Sequence, residues 1–143
     1  MIKKLTFVIA DDAMFMRAVL RKMLEEHEGY TVIGEAANGF EAIEQARLKK
    51  PDIMTLDITM PELDGIKAVK GIKSVSPNTR IIMVSAMGQQ TMVIEAIKAG
   101  AMDFVIKPFE KSRVMEAIKN VTAGGVTQSG ANTRDTLKNN KNS

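Results

Sequence analysis

Five short apolar runs recur along the chain: 6–10 (TFVIA), 31–36 (TVIGEA), 52–57 (DIMTLD), 80–86 (RIIMVSA) and 103–108 (DFVIKP). Each is about five residues long and mostly lacks polar alternation, the pattern of strands buried on both faces. Helical periodicity fills the gaps. Met16, Val19, Leu20, Met23 and Leu24 follow the i, i+3, i+4, i+7, i+8 spacing of one helix face without a break. Ile66, Val69 and Ile72 form a second stripe, and Phe40 with Ile43 a weaker one. Val93, Ala96, Ile97 and Gly100 mark a face of smaller residues, and Val114, Ile118 and Val121 complete the series. Turn residues stand between the segments at Glu28-Gly29, Asn38-Gly39, Asp64-Gly65, Pro77-Asn78 and Ala99-Gly100.

The runs begin 21 to 28 residues apart, which leaves room for one helix between successive strands. Strand–helix units of that length predict right-handed crossovers and an α/β fold, a five-stranded parallel sheet with five helices distributed over both faces. The pattern ends near Val121. Beyond it the chain is rich in Gly, Asn, Ser and Thr and has almost nothing to bury. One folded domain over 1–122 and a flexible polar tail over 123–143 are therefore expected.

Composition narrows the function classes. With 45% hydrophobic and 26% charged residues, the 143-residue chain has the balance of a soluble globular protein. The absence of cysteine excludes a disulfide framework and a thiolate metal site. No segment approaches the roughly 18 apolar residues of a membrane span. The apolar run after Lys3 and Lys4 ends in two aspartates and carries no cleavage pattern, so it is not expected to be an export signal. A cytoplasmic protein without a membrane partner is expected. The net charge is +3, but the tail holds Arg134, Lys138 and Lys141 against Asp135, which leaves the body near neutrality. Nucleic-acid binding, which would want a basic folded face, is not expected.

In an open parallel sheet, ligands bind beyond the carboxyl ends of the strands. Strand one ends at Asp11-Asp12, strand three at Asp57, strand four at Ser85-Ala86 and strand five at Lys107-Pro108. Singly, each has an ordinary explanation: an aspartate capping the next helix, a structural hydroxyl, a solvated lysine. Asp57 is the hardest to explain so, because IMTLD gives a buried strand no structural reason to end on a charge. Together they suit phosphoryl transfer to a carboxylate. A carboxylate can act as the nucleophile, but a divalent cation must offset its repulsion of the incoming phosphoryl group. Magnesium takes oxygen ligands and needs only one or two carboxylates beside its waters. Lys107 and Ser85 would hold the phosphoryl oxygens.

These motifs carry a resemblance. The aspartate pair after strand one, LDITMPELDG, SA after strand four and KPF after strand five resemble the receiver domain of bacterial two-component response regulators, over Lys4 to about Val121. SAMGQQTMVIEAIKAGAMDFVIKPF is similar to chemotaxis regulators of the CheY type. The resemblance implies a flavodoxin-like sheet of order 2-1-3-4-5. It also implies a phosphoacceptor at Asp57, and magnesium, with manganese as a substitute, held by Asp12, Asp57 and the backbone carbonyl of Thr59, with Asp11 acting mainly through water. Ser85 and Lys107 would contact the phosphoryl group, and Lys107-Pro108 falls where the family has a cis peptide bond. Phe104 falls on the aromatic switch position, where many chemotaxis members carry tyrosine; the phenylalanine keeps the ring and removes the hydroxyl, with any partner contact through that oxygen. The implied partners are a histidine kinase (CheA-like), a flagellar motor switch protein (FliM-like) or another target, and a phosphatase. Thr59 and Met87, flanking the phosphoryl site, would tune the lifetime of the phosphorylated form.

Rival readings meet specific obstacles. A haloacid-dehalogenase-type phosphatase needs a second aspartate two residues after the nucleophile, where this chain has Thr59. A flavodoxin would need a phosphate-cradling loop where ADDAMF places carboxylates. No Walker motif or GxGxxG occurs. The expectation is a phosphoacceptor switch and not a turnover enzyme, with a receiver from a non-chemotaxis pathway, or a regulator lacking its output domain, as the alternative. His27, the one histidine, is expected at the surface near a helix end, and the eleven methionines mostly in the core.

Overall fold

The computed structural model describes residues 3–123. The tail expected over 123–143 therefore lies, but for Ala123, outside the described residues. Strands β1 (Leu5–Ala10), β2 (Tyr30–Ala36), β3 (Ile53–Asp57), β4 (Arg80–Ala86) and β5 (Asp103–Lys107) alternate with helices α1 (Met14–Glu25), α2 (Gly39–Lys49), α3 (Gly65–Val75), α4 (Gln90–Ala99) and α5 (Lys111–Thr122). All strand pairs are parallel, and the sheet order is β2-β1-β3-β4-β5, as the resemblance implies. β1 and β3 are interior, so their carboxyl ends lie side by side where the strand order reverses, in register from Phe7 opposite Ile53 to Ala10 opposite Leu56.

The two faces of the sheet follow from the period-2 alternation of strand side chains. Val8, Ala10, Met54, Leu56, Ile81, Met83 and Phe104 point to a core shared with α2, α3 and α4. Phe7, Ile9, Ile53, Ile82, Val84 and Val105 point to the opposite core, closed by Leu20 and Leu24 of α1 and by Val114, Ala117, Ile118 and Val121 of α5. Of the methionines, Met54, Met60 and Met83 are buried, whereas Met14 and Met87 are exposed near the carboxyl edge.

Two local expectations need correction. Phe40 is 56% exposed, and α2 instead buries Gly39, Ala42 and Ala46. Small residues let α2 sit close, and a Cβ on Gly39 would stand 2.8 Å from Cβ of Leu63. Asn38-Gly39 and Asp64-Gly65 are also helix starts and not free turns. Asn38 accepts the Glu41 N–H at 2.8 Å, and Asp64 accepts the Lys67 N–H at 2.9 Å. The glycine behind each cap is the first helical residue, because the chain passes too close to a neighbour for a side chain.

Candidate functional site

The end of β1 turns one carboxylate inward and leaves the other outside. Asp11 still donates its N–H to the Ala36 carbonyl at 2.9 Å, so it continues the ladder, and it is 1% exposed; Asp12, the next residue, is exposed. Asp11 Oδ1 accepts the Ala13 N–H at 2.9 Å. Capping by Asp11 was the ordinary alternative for this pair, and it does not hold. The cap position is Ala13, with no side-chain capping bond, so Asp11 orders the loop before the helix without terminating the helix itself. Asp12 makes no hydrogen bond or ion pair with the described residues.

β3 delivers Asp57 as its last residue, 4% exposed, with Oδ1 accepting the Thr59 N–H at 3.1 Å. β4 delivers Ser85, also buried, opposite Ile106. β5 delivers Lys107, whose Nζ lies 3.1 Å from Asp11 Oδ2 and 3.4 Å from Asp57 Oδ2. The peptide bond from Lys107 to Pro108 is cis. Asp11, Asp12 and Asp57 each offer an oxygen, and these atoms all lie within 4.8 Å of one another.

Burial is the main cause of a raised Asp57 pKa, reinforced by the Asp11 charge and opposed by the Thr59 N–H and by Lys107. Burial pulls the Lys107 pKa down, but Asp57 and Asp11 outweigh it, so the ammonium is held more firmly than in water. Three carboxylates against one ammonium leave the cluster with two uncompensated negative charges when all are ionised. A hard divalent cation with oxygen ligands answers that imbalance, so the donor set fits magnesium.

The site has a supporting residue that periodicity does not single out. Arg17 of α1 donates to the Asp11 carbonyl at 2.7 Å and to Glu35 Oε1 of β2 at 2.8 Å, and Arg21 reaches Glu35 Oε2 at 2.9 Å. The available signal was Glu35 itself, a charge inside the apolar run TVIGEA. His27 stands at the opposite edge of the sheet, exposed after α1, stacked on Tyr30 with ring centroids 3.8 Å apart. No helix among the described residues is long and apolar enough to cross a membrane.

Comparison with known proteins agrees with this geometry. The response regulator receiver domain family matches residues 7–119. The chain is 57% identical to a Chemotaxis protein CheY of Thermotoga maritima over 115 residues, 80% of this chain and 95% of that protein. It is 54% identical to the Bacillus subtilis Chemotaxis protein CheY over 111 residues, covering 78% and 92%. Among solved structures, the CheX-CheY-BeF3-Mg+2 complex from Borrelia burgdorferi superposes with a TM-score of 0.80 at 33% identity, covering 85% of this chain and 92% of that one. The response regulator domain of Thermotoga maritima CheB gives 0.78 at 34% identity, covering 86% and 99%. An acid cluster and a lysine at the carboxyl edge of a 2-1-3-4-5 sheet, with relatives matched over nearly their whole length, leave one conclusion: the chain belongs to the response regulator receiver domain family of two-component signalling.

Proposed function

We propose that this chain is a cytoplasmic chemotaxis switch that accepts a phosphoryl group on Asp57 from a histidine kinase. The observation that carries the reading is the Lys107 ammonium bridging Asp11 and Asp57 beside the exposed carboxylate of Asp12. An Asp57 oxygen attacks the phosphorus of a phosphohistidine. The P–O bond forms as the P–N bond breaks, and the electron pair leaves with the imidazole, which takes up a proton. Lys107 exchanges a carboxylate for a phosphoryl oxygen, and the Ser85 hydroxyl donates to another. Magnesium, or manganese in its place, supplies charge neutralisation when bound. Asp12, Asp57 and the Thr59 carbonyl would hold it, with Asp11 acting mainly through water. Asp12 is supported as a direct ligand by having neither oxygen engaged among the described residues, whereas Asp11 and Asp57 each have both oxygens engaged within the protein.

The phosphoryl group carries roughly −1.5 to −2 charges but replaces the single charge of the carboxylate, so the buried site gains roughly −0.5 to −1. Attraction of Ser85 and Lys107 toward it favours the Phe104 ring in the space behind Ser85. That population shift reshapes the face of α4, β5 and α5, where a flagellar motor switch protein docks. Hydrolysis by water returns the carboxylate and releases phosphate, at a rate tuned by Thr59 and Met87. A partner phosphatase accelerates it, a role supported by the relative captured with CheX, BeF3 and magnesium.

The test is incubation with acetyl phosphate and magnesium followed by intact-mass measurement. One hydroxylamine-labile phosphoryl group is expected, lost in Asp57→Asn. No adduct, or an adduct that survives that substitution, sinks the reading.

A further inference from the structure

Arg113 crosses the open edge of the sheet. α5 packs on the face opposite the Phe104 ring, and β5 is the edge strand, so a side chain from α5 reaches Phe104 only by passing around that edge. Arg113 does so. Its Nη2 donates to the Phe104 carbonyl at 2.6 Å, and its guanidinium carbon lies 5.8 Å from the centre of the Phe104 ring. The outward N–H of Phe104 is also sealed, donating to Asp103 Oδ1 at 2.7 Å. Asp103 is buried. The same oxygen stands 3.5 Å from Arg113 Nη2, and the other accepts from Asn120 at 3.1 Å. A second arm of the guanidinium meets Glu116 at 3.1 Å.

From this arrangement we infer that Arg113 is a positioning residue for the Phe104 ring, holding it in its buried orientation from the far face of the sheet, with Asp103 fixing the guanidinium. The inference rests on Phe104 being the switch residue of the proposed function. Its physical content is differential contact. The carbonyl hydrogen bond is indifferent to ring rotation, because it involves the backbone. The guanidinium–ring contact exists only while the ring lies inward, so it biases the two orientations. A ring lacking a hydroxyl has no hydrogen bond of its own to settle its orientation, which leaves the bias to its neighbours. At about 6 Å a cation over an aromatic face favours the contact by about two- to fivefold in population.

The experiment uses the full chain with ring-labelled phenylalanine, the Phe104 signal being assigned by its loss in Phe104→Leu. In the ligand-free protein a soluble paramagnetic probe should broaden the Phe104 signal about two- to fivefold more in Arg113→Met than in the parent. Arg113→Lys, which keeps a cation over the ring, should fall between them. Asp103→Asn keeps an acceptor for the Phe104 N–H and should shift the signal in the same direction by less. An unchanged Phe104 signal in Arg113→Met overturns the inference, and so does an equal change in Arg113→Lys. In a second arm, beryllofluoride with magnesium is titrated. Arg113→Met should bind beryllofluoride about two- to fivefold more weakly with unchanged affinity for magnesium alone. A displaced ring with unaltered beryllofluoride affinity overturns the coupling to the phosphoryl site. If the parent itself ignores beryllofluoride, the phosphoacceptor reading falls, and the ring measurement still decides what Arg113 does.

Discussion

Asp57 serves two opposing demands. The proposed phosphoryl transfer wants an ionised carboxylate, whereas its burial favours the neutral acid and raises its pKa. A carboxylate whose folded pKa exceeds its unfolded value contributes stability below the unfolded value, and that contribution is lost as pH rises through the folded pKa. At neutral pH in magnesium-free buffer, Asp57 therefore weakens the fold, and Asp57→Asn should unfold at higher urea than the parent. The gap should close as pH falls through the raised Asp57 pKa toward the ordinary carboxylate value of 3.8. A variant no more stable than the parent at pH 7 would contradict this. The neighbouring pair divides differently. Asp12→Ala should weaken magnesium binding more than Asp11→Ala does, because the Asp11 oxygens are already engaged by the Ala13 N–H and Lys107. Equal losses in a magnesium titration would refute the division.

At the scale of elements, the site depends on how closely the β3–α3 connection folds back on itself. Gly65 opens α3, and its N–H donates to the Ile58 carbonyl at 3.2 Å, one residue beyond Asp57. A Cβ on Gly65 would stand 2.8 Å from that oxygen and 2.9 Å from the Ile58 Cα, and backbone cannot swing aside as a side chain can. Gly65→Ala should cost about 1–3 kcal/mol in urea unfolding. It should also weaken magnesium binding, since the displaced backbone carries Asp57 and Thr59. Unaltered stability would show that the loop yields. Asp64-Gly65 was legible as punctuation, but its work as a cap followed by a close contact was not. Similarly, Phe40 read as part of an apolar stripe because periodicity records spacing alone; Ile43 packs against the core, but the proximity of α2 to its neighbours selected Gly39, Ala42 and Ala46 for its buried face.

For the molecule as a whole, the two cores make the sheet a shared wall. The Phe104 ring belongs to the α4 side and Arg113 comes from the α5 side, so α5 has a direct hold on a residue across the edge strand. A change at the phosphoryl site should accordingly be felt on both helices. Adding beryllofluoride and magnesium should move amide resonances in α4 and around Arg113 while leaving those of His27 and Tyr30, at the opposite edge, nearly fixed. Resonances that change only within β1, β3 and the loops after them would argue for a site without a switch.

The sequence determined the five strand–helix units, their parallel arrangement and the polar groups that end four of the strands. These are local: unbroken apolar runs, helical spacing and the abrupt arrival of a charge after an apolar run all act over a few neighbouring residues. The family resemblance supplied the strand order, which spacing left open. Only the tertiary structure decided which aspartate of the pair is buried, that Lys107 bridges Asp11 and Asp57, and that Arg17 and Arg113 support residues on other elements. Those contacts join residues as much as 96 positions apart. A long basic side chain has no local reason to choose such a partner, and nothing along the chain records the choice before the sheet brings the two together.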